Sequence, residues 1–135
     1  MSRVLALDIG TVRIGAAISD PSRIIAQGLG VWQIDSWREE FDSCVKKFDP
    51  AVIVLGLPVR TDGKKSEAAE RVLNILDSLK SEYPEKIFMT WDERFTTVIA
   101  QKMLIEADIS RKQRRKTVDK IAAVLILESW LEANH

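Results

Sequence analysis

The sequence is poor in the side chains that most often announce catalytic chemistry. It holds one cysteine, Cys44, and one histidine, His135. A single thiol cannot form an internal disulfide, which fits a reducing compartment. With histidine confined to the last residue, histidine-centred triads and His-rich zinc sites are not expected. Net charge is also lacking: 20 basic and 20 acidic residues cancel, so any preference for nucleic acid has to be local. No apolar run reaches the ~18 residues of a membrane span. A signal-peptide pattern is missing as well, because Arg3 and Asp8 interrupt the N-terminal apolar stretch. The expectation is a cytoplasmic chain with no membrane partner. Its 135 residues, 46% of them hydrophobic, are enough for a core of their own, and one domain over 1–135 is expected.

What is present is a change of period along the chain. Val4 to Leu7 is a short apolar run, as a central strand requires. Arg13 to Ile18 and Ile24 to Trp32 read as two more strands, the last weakened by Gly28 and Gly30. Their short connections imply an antiparallel meander. Trp37, Phe41, Cys44, Val45 and Phe48 then fall on one helical face, with Asp35 or Ser36 as cap. On that stripe Cys44 is a packed thiol, since no histidine is at hand to activate it. Ala51 to Leu55 is a strand, and GLPVRTDGKKS a loop in which Gly56 and Gly63 supply turn geometry. Ala69 to Leu79 is a helix, Lys86 to Trp91 a strand, and Thr97 to about Ala107 a helix. Residues 108 to 117 are polar and basic, expected to be mobile, and Val118 to about Glu132 forms the last helix. This order predicts an α/β fold: a five-stranded mixed sheet, three antiparallel strands followed by parallel crossovers, flanked by helices.

The acidic residues carry the chemistry. Asp8 interrupts a buried strand, and a lone buried carboxylate is expensive. Asp92 and Glu93 stand at the end of another strand, and sites in such sheets gather at the C-terminal ends of parallel strands. Successive strand residues point to opposite faces, so one of the pair should aim where Asp8 aims. Glu93 is favoured for its reach, with Asp92 as the alternative. Asp119 lies at the start of the last helix, where an acidic residue also complements the macrodipole. The small Ala122 and Ala123 after it would let that helix approach the sheet. Three converging carboxylates repel one another; a divalent cation with oxygen ligands, Mg²⁺ or Mn²⁺, removes the repulsion and suits phosphodiester cleavage.

DIGTVRIGAAISD, GLPVRTDG, DERFTT and DKIAA, in this order, resemble the YqgF-type (RuvX) family. Its members are Holliday-junction-resolvase-like proteins of the ribonuclease H superfamily and carry the name pre-16S rRNA nuclease. The resemblance runs from Val4 to about Leu131. It implies a ribonuclease H-like fold, metal-dependent cleavage and an acidic triad at Asp8, the Asp92–Glu93 pair and Asp119. Arg60 departs from the asparagine frequent in the family's loop.

Nucleic acid is the expected partner. Six of the ten residues in RKQRRKTVDK are basic, and phosphate contacts supply most non-specific affinity. Arg111, Lys112, Arg114, Arg115 and Lys116 are candidate contacts, with Arg13 at the first hairpin and Arg94 beside Glu93. Thr96 and Thr97 can cap a helix or meet a phosphate. The four tryptophans have packing positions rather than stacking ones. The expected activity is cleavage of structured RNA, precursor 16S rRNA above all. Branched DNA is the alternative substrate, and a non-catalytic binding factor the alternative class. A sugar-kinase-like ATPase, suggested by DIGTVRIG, needs two related domains, for which this chain has no room. Monomer and homodimer are equally compatible with the residues.

Overall fold

The computed structural model describes residues 2–59, 62, 66–93 and 111–134, with the backbone alone for 111–119. Among them five strands and three helices are found. The strands are β1 (Val4–Ile9), β2 (Arg13–Ser19), β3 (Ala26–Gln33), β4 (Val52–Leu57) and β5 (Ile87–Asp92). The helices are α1 (Trp37–Phe48), α2 (Glu67–Glu82) and α3 (Arg111–Ala133). They form one sheet of order β3-β2-β1-β4-β5. β1–β2 and β2–β3 are antiparallel, while β1–β4 and β4–β5 are parallel. The α/β mixed sheet with its meander is therefore as expected.

Period-two alternation divides the sheet into two faces. Leu5, Leu7 and Ile9 of β1 pack with Ile14, Ala16 and Ile18 of β2 under α1 and α2. Phe41 of α1 is fully buried there and meets Trp32, Trp37 and Tyr83 edge-on, at centroid distances of 6.5, 6.2 and 5.7 Å. Val4, Ala6, Ala17, Val52 and Val54 face the other way and pack on Ala122, Ala123, Ile126, Leu127 and Trp130 of α3. Trp91 anchors β5 to this helix by donating to Ser129 Oγ at 2.9 Å. All four tryptophans pack in one of the two clusters.

Several local expectations need correction. Ser36 holds the N-cap position of α1, but its side chain makes no capping bond. The capping bond is found on α2, where Ser66 Oγ accepts from the Ala69 amide at 3.1 Å. α3 starts at Arg111 rather than Val118, so residues 111–117 are helical, not a mobile loop. Arg, Lys and Gln are good helix formers, and propensity carried a segment that apolar periodicity could not reveal. Gly56 belongs to β4 and not to the loop. The helix expected over 97–107 lies outside the described residues, as do Arg60, Gly63, Arg94, Thr96, Thr97 and His135.

Candidate active site

Asp8 is the penultimate residue of β1 and is 7% exposed. Among the described residues it shares this polar burial only with Ser19. The Ser19 hydroxyl is accounted for: it accepts from the Val4 amide at 2.8 Å and donates to the Asp20 carbonyl at 2.9 Å. Asp8 follows Val4 and Ala6 on the α3 face, at the C-terminal end of the strand. Its partner in β2 is Gly15. Extending the β1–β4 register by one step, from Leu7 opposite Leu55, sets Gly56 on its other side. The carboxylate therefore stands between two residues without side chains, on a floor that would otherwise be core.

Gly56 shows what that floor is for. A Cβ built there would lie 2.5 Å from Ile126 Cδ1 and 3.0 Å from Glu93 Oε1. The missing side chain is a cradle into which the Glu93 carboxylate reaches over β4, beneath α3. Alternation explains why Glu93 gets there. Trp91 faces α3 through its bond to Ser129, so Asp92 turns to the α1–α2 face and Glu93 returns. The geometry brings Asp8 and Glu93 to one face and places Asp92 on the other. Arg13 opens β2 two residues before Gly15, so it also falls on the α3 face, diagonal to Asp8.

Position 119 lies about two turns inside α3, not in its first turn, so a macrodipole role does not apply. It is one turn ahead of the sheet-facing Ala122 and Ala123 and two ahead of Ile126. Its side chain lies outside the described residues, as do those of Arg111, Lys112, Arg114, Arg115 and Lys116. Among the described residues, no group of three or more histidine, cysteine, aspartate or glutamate side chains is placed to hold a metal ion. The Asp8 and Glu93 pair nonetheless suits a hard divalent cation. It is all oxygen, the donor set such a cation prefers. Cys44 is not a competing nucleophile: it is buried in the other cluster, and burial pushes its thiol up to about 11.

The role of Gly56, making room for Glu93 and Ile126, is not among the sequence expectations, which place it in a loop. The signal was available, since VLALD and VIVLG align as parallel neighbours with Gly56 at the level of Asp8.

Comparison with known proteins settles the kinship. The RuvX family model, described as Holliday junction resolvase, matches residues 2–133. The chain belongs to the RuvX family. A RuvX relative from Halalkalibacterium halodurans, named "Putative pre-16S rRNA nuclease", is 43% identical over 135 residues, covering 96% of each chain. One from Dictyoglomus thermophilum with the same name is 42% identical, covering 98% of this chain and 96% of its own. Among solved structures, T. thermophilus RuvC in complex with a Holliday junction substrate superposes with a TM-score of 0.60 at 10% identity. That match covers 99% of this chain and 97% of RuvC. The yeast mitochondrial Holliday junction resolvase Ydc2 gives 0.53 at 12% identity, covering 97% and 79%. These likenesses establish the ribonuclease H-like fold, and the family places the chain among nucleases.

Proposed function

We propose that this chain is a single-domain, metal-dependent endonuclease. It hydrolyses phosphodiester bonds of structured RNA, with precursor 16S rRNA as its substrate in the cytoplasm. One observation carries the proposal: Asp8, buried at a strand tip between Gly15 and Gly56, shares the α3 face with the Glu93 carboxylate. Asp8, Glu93 and Asp119 would hold the ion, Mg²⁺ or Mn²⁺, with Asp119 brought in by the stripe that continues through Ala122, Ala123 and Ile126. The bound cation supplies charge neutralisation and Lewis-acid polarisation of the scissile phosphate.

The chain's own residues do the rest. Asp8 provides a fixed negative charge whose surroundings cannot rearrange, because β1 is buried along its whole length. Gly56 leaves the Glu93 carboxylate room at the level of Asp8. Arg13 offers a cation to the phosphate beside the carboxylates. Arg94 and the basic first turns of α3, Arg111 to Lys116, supply the sequence-independent attraction that phosphates feel for clustered cations. The names of the relatives favour RNA. The family's description favours branched DNA as a second substrate.

The test is cleavage of a precursor 16S rRNA fragment beside a four-way DNA junction, each with Mg²⁺, Mn²⁺ or chelator. The wild-type chain should cut the RNA with either ion and lose activity in chelator. Asp8→Asn and Asp119→Asn should bind RNA but not cut it. Undiminished cleavage by Asp8→Asn would remove the acidic centre from the mechanism. Binding of RNA without any cleavage by the wild type would make the chain a non-catalytic factor.

A further inference from the structure

Two isoleucines stand in water at the end of the sheet away from Asp8. Ile24 is 70% exposed and Ile25 64%, in the connection that leads into β3. This connection is not slack. Asp20 Oδ1 accepts from the Ile24 amide at 2.7 Å and from the Ile25 amide at 2.8 Å. The Ile25 bond, above all, holds the Asp20 carboxyl below the usual carboxylate range. The Arg23 amide donates to the Asp20 carbonyl at 3.0 Å, and the Asp20 amide to the Ile25 carbonyl at 3.2 Å. Arg23 takes a φ of 59°, uncommon for any residue but glycine. Its guanidinium donates to the Ser2 carbonyl and to Ser2 Oγ, each at 2.9 Å. The order that binding usually has to impose on a loop is already present.

Beside the isoleucines, a cleft of about 360 Å³ is lined by Ile24, Ile25, Ala26, Glu128, Leu131 and Glu132. A cavity of ~150 Å³ already accepts a benzene ring, so a large side chain fits. Leu131 is buried and belongs to the α3 cluster, which makes the floor apolar. Glu128 and Glu132 are exposed on one helical face, four residues apart, and like charges at that spacing repel. Among the described residues neither enters an ion pair. The sequence has no Lys or Arg after Lys120, and between Asp20 and Gln33 it has only Arg23, which is turned to Ser2.

The charge decides the occupant. Two unmatched carboxylates turn away phosphates, so neither nucleic acid nor an anionic membrane fits. A second copy joined through the same patch by a two-fold axis would set Glu128 and Glu132 against their own images. A protein surface that is apolar at its centre and cationic around it satisfies both the cleft and its rim. We propose that this end of the molecule docks a protein partner, one of whose segments puts a large apolar side chain between Ile24, Ile25 and Leu131 while flanking lysines or arginines meet Glu128 and Glu132. The site is separate from the acidic centre. Ala26 pairs with Ser19, whose hydroxyl accepts from the Val4 amide at the opening of β1. From Val4 to Asp8 that strand rises about 13 Å. The assignment thus goes beyond the nuclease reading and does not depend on it.

The experiment pans a random-peptide library displayed on phage against the wild-type chain, with the Ile25→Asp chain as counter-selection. The enriched peptides should carry a large apolar residue flanked by Lys or Arg. Panning against Glu128→Lys with Glu132→Lys should replace those cations by Asp or Glu. A fluorescent copy of the most enriched wild-type peptide is then titrated by anisotropy. Ile24→Ser with Ile25→Ser should weaken its binding roughly tenfold or more. Glu128→Gln with Glu132→Gln should weaken it about threefold at low salt and little at high salt, because the carboxylates are exposed. The substituted side chains are exposed, so each variant should keep the parent's circular dichroism spectrum. The proposal is overturned if no enriched peptide is sensitive to Ile25→Asp, if the peptides have no basic bias, or if neutralising the glutamates changes nothing at low salt. A dimer in light scattering that Ile25→Asp dissociates would give the cleft to a second copy. Weaker binding of the precursor 16S rRNA fragment by Ile24→Ser with Ile25→Ser would give it to nucleic acid. Either result also overturns the proposal.

Discussion

On the α1–α2 face β1 presents Leu5, Leu7 and Ile9; on the α3 face it presents Val4, Ala6 and Asp8. β4 divides in the same way, with Ile53 and Leu55 on one face and Val52, Val54 and Gly56 on the other. The first face stays large and apolar along its whole length, sealed by the aromatic group around Phe41. The second begins as core and then shrinks, towards the C-terminal ends of the parallel strands, to Asp8, Gly15 and Gly56. One sheet thus carries a filled face that stabilises it and a face whose end is given to a buried carboxylate and two glycines, Gly56 leaving its volume to Ile126 and Glu93. The acidic end is tolerable because the filled face, together with the Val4, Ala6 and Val54 end of the other, secures the strands beneath it.

The division predicts that activity and stability can be altered separately. Asp8→Asn should reduce cleavage by three orders of magnitude or more, over 4 kcal/mol in barrier terms. It should leave the thermal midpoint within a few degrees of the parent's, because the amide keeps the shape of the buried side chain. Kinetics and calorimetry on the same preparation check this, and a variant that loses activity by unfolding would contradict it. Leu79→Ala is the reverse case. Leu79 is fully buried on the α1–α2 face, and truncation there costs about 2–5 kcal/mol. Urea titration should find that loss, while the folded fraction at low temperature cleaves at the parent's rate.

Gly56→Ala tests the boundary between the two regions. The added methyl would press on Ile126 Cδ1 and the Glu93 carboxylate. The isoleucine tip can yield, so a stability cost of about 1–3 kcal/mol is expected. The displaced carboxylate should lower cleavage by tenfold or more. A stability loss with undiminished cleavage would show that Gly56 serves only the packing of α3.

Much of this was legible in the sequence, for identifiable reasons. VLAL and VIVL announce strands because buried parallel strands are apolar on both faces. Asp8 stands out because nothing else polar interrupts them. Glu93 and Asp92 could be narrowed to a pair but not separated, since the answer depends on where β5 ends and which face Trp91 takes. The shift opposite Ala16 and Ala17 was invisible, because two glycines weaken a strand signal without saying where it bulges. The early start of α3 was hidden by its composition: a helix turn made of Arg, Lys and Gln has no apolar stripe to read. Gly56 looks like any loop glycine until Ile126 and Glu93 are seen in the space it leaves.

The smallest expected effect concerns how the filled face is finished at its helix ends. α1 and α2 both follow a serine, yet Ser66 Oγ caps α2 and Ser36 makes no capping bond to α1. Removing a side-chain cap typically costs ~1 kcal/mol. Ser66→Ala should therefore lower stability by about that amount, and Ser36→Ala by a few tenths at most. Neither touches the α3 face, so cleavage well below the midpoint should stay at the parent's level in both. Equal losses from the two substitutions, measured by denaturant titration under one set of conditions, would mean that the serine identity rather than its bond to the Ala69 amide sets the helix start.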